Sequence, residues 1–291
     1  MDLPLPTVPV ASEPPVAIRR PEPQTLPLVF ASPHSGRCYP AEFVAAARLD
    51  MLALRRSEDS FVDELFAAAP MFGAPLLAAT FPRAFCDVNR EAWELDAAMF
   101  EDSLPAWVNT TSMRVGAGLG TIARVVASGE AIYRRKLRFA EAEARVRRCW
   151  QPFHASLAVL IHGTLRQFGT CLLIDCHSMP ASSLQPRGSA DFVLGDAHGS
   201  SCSAAAIGHV EQVLAGLGYR VRRNDPYAGG YITRHYGRPR DGVHALQLEI
   251  CRTLYMDEAR IERLPAFGRV QRDLTTLIGS MARREFVAAL R

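Results

Sequence analysis

The chain reads as an α/β protein, a three-layer αβα sandwich around a mostly parallel, mixed central sheet. Three observations give this class. Six short apolar runs of four to eight residues lie between residues 28 and 250, with the length and flanking residues of buried strands. Helix-length segments alternate with them, and that alternation marks a parallel sheet covered on both faces. The composition is globular, 48% apolar and 22% charged over 291 residues, which excludes wholesale disorder, collagen-like chains and coiled coils.

Taken in order, residues 1–27 carry eight prolines and little periodicity. An extended Pro-rich tail over 1–26 is expected, with one domain over 27–291, because no repeat and no later linker interrupts the chain. The expected strands are Leu28–Ser32, Pro75–Thr80, Cys171–Cys176, Asp191–Leu194, Tyr219–Arg222 and Val243–Ile250. One or two helices are expected within Ala41–Ala69, and a charged helix over Glu130–Trp150. Pro152 suits the first turn of a helix running to about Phe168. Ala204–Leu217 places Ile207, Val210, Val213, Leu214 and Leu217 on one face, with Gly218 at its end. An amphipathic helix over Arg269–Arg291 closes the chain.

The net charge of +3 does not point to a nucleic-acid partner. Lys136 is the single lysine among 33 basic residues, a bias that reads as genome composition. Seven scattered cysteines without a CxxC speak against a disulfide framework or a four-cysteine zinc site. There is no run of about 18 uninterrupted apolar residues and no basic-then-apolar leader. A cytoplasmic setting with no membrane partner is therefore expected.

Residues with chemical potential gather at strand ends, where ligands bind in open α/β sheets. Ser32-Pro33-His34-Ser35-Gly36 follows the first strand, Asp87-Val88-Asn89-Arg90 comes soon after the second, Asp175-Cys176-His177-Ser178 ends the third, and Glu249 lies near the end of the last. Two strand-end histidines and one carboxylate make a three-ligand zinc site with an open position, where bound water acidifies. An unliganded carboxylate beside it can act as general base. Glu249 is the candidate, because an acid inside an apolar strand needs a role or a partner. Each residue also has a plain structural use: a hydrogen-bonded histidine, an ion-paired Glu249, or Asp87 and Asn89 in a cap or Asx turn. The four motifs together point to a site. Cys176 is set apart from His177 by strand alternation, which disfavours cysteine catalysis.

Nine segments carry a family resemblance: SPHSG at 32–36, EDSFVDELF at 58–66, FPRAFCDVNRE at 81–91, GLGTIARV at 118–125, IYRRKL at 132–137, LLIDCHSMP at 172–180, DFVLGDAHGSSCS at 191–203, PYAGGYITRHYGRP at 226–239 and HALQLEICRTLYMDE at 244–258. In this order they resemble the N-formylglutamate amidohydrolase family, over about residues 27–275. The resemblance implies a phosphorylase/hydrolase-like fold of the zinc-dependent exopeptidase type and one Zn2+ bound by His34 and His177. The relatives' third ligand, a Glu three residues after the first histidine, is replaced by Arg37. Asp59 is the choice instead, with Glu58 and Asp63 as alternatives. The resemblance further implies Glu249 as general base, Arg83 polarising the scissile carbonyl, and Asn89 with Arg90 holding the substrate α-carboxylate. Arg252 would meet a second substrate carboxylate or simply pair with an acid. The implied reaction is hydrolysis of N-formyl-L-glutamate to formate and L-glutamate, a step of histidine breakdown.

Other readings share these residues. One is a related amidohydrolase for another N-acyl amino acid. Another is a metal-free binding protein on the same fold. A third is RNA binding through the basic segment Arg134–Arg148, against which the interleaved Glu130, Glu141 and Glu143 argue for a solvated helix face. Gly116–Gly120 lacks the spacing of a phosphate-binding loop and reads as a mobile loop near the site or a plain turn. Tyr227–Tyr231 reads as a glycine pair permitting close backbone approach to a ligand, or as a hairpin.

Overall fold

The computed structural model describes residues 14–184 and 189–290. The first thirteen residues of the expected tail, and Arg291 of the expected last helix, lie outside the described residues.

Seven strands form the central sheet: β1 Val16–Arg19, β2 Leu28–Ser32, β3 Leu76–Ala79, β4 Cys171–Met179, β5 Phe192–Gly195, β6 Val221–Arg223 and β7 Val243–Cys251. Their order is β1-β3-β2-β4-β7-β5-β6. The pairs β3/β2, β2/β4, β4/β7 and β5/β6 are parallel, and β1/β3 and β7/β5 antiparallel. All six expected strands are present. β1 is additional and lies within the expected tail. It pairs along β3 from Val16↔Ala79 to Arg19↔Leu76, an edge position where the surrounding prolines leave no central ladder unpaired.

The helices are α1 Ala41–Ala46, α2 Met51–Arg55, α3 Val62–Leu65, α4 Met113–Gly116, α5 Phe139–Arg145, α6 Gln151–Phe168, α7 Ala204–Gly216, α8 Tyr231–Tyr236, α9 Phe267–Met281 and α10 Arg284–Ala288. Strand alternation sorts them into two layers. Leu172, Ile174, Cys176, Leu246 and Leu248 face a core filled by α3, α7, α9 and α10. Cys171, Leu173, Val243 and Ala245 face a second core filled by α1, α2, α6 and α8. The sandwich of the sequence reading is therefore present.

The connections depart from it in three places. Ala41–Ala69 holds three short helices, the second capped by Asp50 through Ala53 N. The charged helix begins at Phe139. Residues 130–138 run as irregular chain with isolated bridges such as Val125↔Ala131 and Phe100↔Leu137. A π-turn over Val146–Trp150 then joins α5 to α6, so Pro152 lies inside a continuing helical path. At the C-terminus, α9 and α10 are separate helices.

Candidate active site

β2, β4 and β7 are neighbours at the centre of the sheet and point the same way, so their C-terminal ends form one platform. In the β4/β7 register Asp175 faces Gln247, and His177 faces Glu249. All four occupy the odd positions that point toward the α6 side. Cys176 points the other way, into the opposite core, and burial pushes its thiol well above the usual range. It is inert, as alternation required.

His34 lies two residues beyond β2. Its carbonyl accepts from Asp59 N at 3.0 Å, which brings the acidic run before α3 to the platform. Gly36 makes this turn possible. A β-carbon there would lie 2.1 Å from the Phe81 carbonyl oxygen, so only glycine lets the two strand exits pass this closely. The segment Phe81–Arg90 is thereby laid beside His34.

His34, Asp59 and His177 converge, each no more than 2% exposed. Asp59 Oδ2 lies 3.4 Å from His34 Nδ1 and 3.0 Å from His177 Nδ1. The other nitrogen of each ring faces another carboxylate: His34 Nε2 is 2.7 Å from Asp87 Oδ1, and His177 Nε2 is 3.0 Å from Asp175 Oδ1. Arg252 donates from Nη2 to Asp59 Oδ1 at 3.0 Å. Burial opposes the charge on Asp59 and Asp87. For Asp59 the two histidines overcome it, for Asp87 the guanidinium groups of Arg83 and Arg90 together with His34, and both carboxyls stay well below the usual range.

This group could hold a metal ion, and one buried atom tests the fit. His34 Nδ1 makes no hydrogen bond among the described residues, which is costly for a buried polar group. A cation beside Asp59 would take that lone pair. The 3.4 and 3.0 Å separations bracket the edge of about 3.3 Å of a tetrahedral site with bonds of about 2.0 Å. The alternatives to Asp59 stand outside the group. Glu58 accepts from Tyr39 Oη, Ser60 Oγ and Arg55. Asp63 and Arg37 face each other at 4.0 Å, with Arg37 half exposed and paired to Glu64.

The remaining expected residues line one cavity of about 370 Å³ with this group, a volume suited to a small metabolite. Burial pushes Glu249 up to about 7, with Asp59 adding to the rise and His177 opposing it. Gln247 Nε2 donates to Glu249 Oε1 at 3.0 Å and orients it. Arg83 donates from Nη2 to Asp87 Oδ2 at 2.8 Å. Asn89 is locked. Its Oδ1 accepts from Ile232 N at 2.8 Å and its Nδ2 lies 3.1 Å from His177 Nε2. A β-carbon on Gly230 would lie 2.2 Å from that amide, so the glycine pair of Tyr227–Tyr231 accommodates Asn89. Arg90 donates to the Leu119 and Asn89 carbonyls. Arg252 spends its other donors on Ser178 Oγ and the Arg56 carbonyl.

Sequence reasoning assigned no role to Asp87 and Asp175 as ring supports, or to Gln247. Their signal was present as the i, i+2 spacing on a strand: Asp175 before His177, Gln247 before Glu249. In the basic segment, Arg145 is buried against Phe43, Phe85 and Tyr133, which corrects its placement on a solvated face. Arg135, Arg147 and Arg148 pair with Glu141, Glu143 and Glu42.

Comparison with known proteins fits this architecture. The family model for N-formylglutamate amidohydrolase matches residues 26–256. The N-formylglutamate deformylase of Pseudomonas aeruginosa is 32% identical over 240 residues, 80% of this chain and 83% of that protein. That of Pseudomonas putida is 30% identical over 241 residues, with the same coverage of 80% and 83%. The crystal structure of N-formylglutamate amidohydrolase from Ralstonia eutropha JMP134 superposes with a TM-score of 0.90 at 40% identity, covering 95% of this chain and 99% of that one. A gene product of Agrobacterium tumefaciens, at 17% identity and a TM-score of 0.65 over 95% of this chain and 94% of its own, shares the fold. The chain belongs to the N-formylglutamate amidohydrolase family.

Proposed function

We propose that this member of the family hydrolyses N-formyl-L-glutamate to formate and L-glutamate, with one divalent metal, zinc by its histidine and carboxylate donors, held by His34, Asp59 and His177. The observation that carries the reading is the three-ligand group sharing one arginine-lined cavity with a carboxylate poised near neutrality. A divalent ion there supplies a Lewis acid for the formyl carbonyl and acidifies water.

The chain's own groups do the rest. Glu249 takes the proton of the attacking water at a carboxylate oxygen, and a base poised near the working pH is efficient in both directions of transfer. It then returns the proton to the departing nitrogen. Arg83, fixed by Asp87 at one amino group, directs its remaining donors at the oxygen on which negative charge develops. The guanidinium of Arg90 offers the substrate α-carboxylate a planar partner, and Asn89 holds the loop in register. Arg252, committed to Asp59, orients that ligand.

Glu249→Gln tests the assignment. Turnover is expected to fall by roughly 100- to 10,000-fold with metal content unchanged. Turnover within a few-fold of wild type would remove Glu249 from the reaction.

A further inference from the structure

A substrate with two carboxylates needs a second cationic contact, and the residue expected to supply it is occupied. Arg252 is 6% exposed, and its donors go to Asp59 Oδ1, Ser178 Oγ and the Arg56 carbonyl. Four arginines line the cavity against three carboxylates, Asp59, Asp87 and Glu249. Arg83 and Arg90 both face Asp87. Arg114 lines the same cavity, is exposed, and its side chain makes no hydrogen bond or ion pair among the described residues.

The loop carrying it is fixed to the site. Ser112 caps α4 through Val115 N, and the Val115 side chain is buried. Leu119 N donates back to the Arg114 carbonyl at 2.8 Å. The Leu119 carbonyl in turn accepts from Arg90 Nε at 2.9 Å. The loop of Gly116–Gly120 is thus tied to the residue that would hold the α-carboxylate. The Arg90 guanidinium is pulled below its usual range by burial first, then by the charges of Arg83 and Arg114, so the positive charge of Arg114 is felt at that position.

Resting on the substrate reading above, we infer that Arg114 is the specificity-determining residue that receives the side-chain carboxylate of the substrate. An arginine free of internal partners keeps its full fork for a carboxylate, and at the cavity edge it gives up little hydration before the ligand arrives. A neutral amide in the same place forfeits the charge-assisted contact, so the residue selects acidic over neutral side chains.

The test compares N-formyl-L-glutamate with N-formyl-L-glutamine on the metal-loaded protein. Wild type is expected to favour the acid. Arg114→Ala should reduce that preference by roughly 10- to 100-fold, through a higher KM for the acid, and Arg114→Lys should recover part of it. A wild type that favours the acid and an Arg114→Ala variant with the same preference would overturn the inference alone. A wild type that turns over both equally, or neither, would overturn the substrate reading and the inference with it.

Discussion

At the scale of single residues, the site is a set of buried charges in which Asp59 and both histidines face charged partners. Asp87 supports His34 and is gripped by Arg83 at 2.8 Å. Asp87→Asn removes the negative charge and leaves the shape, so metal affinity should fall by roughly 10- to 100-fold, measured by competition with a chromophoric chelator. Unchanged affinity would mean that Asp87 does not orient the ring. His34, His177 and Glu249 were legible one by one, because chemistry-bearing residues at strand ends stand out against an apolar run. The third member of the His34, Asp59 and His177 group was not legible from spacing, because Asp59 reaches the platform through a backbone hydrogen bond to the His34 carbonyl that no sequence pattern reports. Arg145 misled for the complementary reason. In a run of arginines nothing marks the one that turns inward onto three aromatic rings.

At the scale of elements, α6 is tied to the Asp87–Arg90 segment by His154. Its Nε2 donates to the Val88 carbonyl at 2.8 Å, and its Nδ1 accepts from Tyr236 Oη at 2.9 Å. Burial pushes this imidazole down to about 4, against about 6.5 in an unfolded chain. The folded state therefore binds fewer protons between those values. Its contribution is fully present above pH 6.5 and is lost as pH falls toward 4, to a limit of about 3 kcal/mol. Urea midpoints at pH 7 and pH 5 should diverge less in His154→Gln than in wild type. Equal divergence would place the acid sensitivity elsewhere. Gly36→Ala is expected to be strongly destabilising, through collision with the Phe81 carbonyl, and a wild-type melting temperature would contradict the close approach. The strand elements were readable because apolar runs bounded by turn residues have one burial solution. β1 escaped because Pro14 and Pro15 stand beside it and its partner is distant in sequence. Residues 130–138 resembled a helix because they run into the charged segment that continues to Trp150, yet isolated bridges hold them, and composition does not reveal these.

At the scale of the whole molecule, the sheet order brings together what the chain separates. β2, β4 and β7 begin at residues 28, 171 and 243 and lie side by side, so the platform exists only in the folded state. A metal held there should bind the native state alone and stabilise it, by about 4 kcal/mol at a free concentration a thousand times the dissociation constant. Thermal melts with zinc and with chelator should therefore separate by several degrees, and coincident melts would mean that the group holds no ion. Among the described residues no helix is long and apolar enough to cross a membrane. The most direct measurement is formate release from N-formyl-L-glutamate by protein whose metal content has been quantified. The account predicts turnover that tracks bound metal near one per chain, is lost to chelator and returns with zinc. Protein that carries the metal and releases no formate, or that releases it equally after complete chelation, would contradict it.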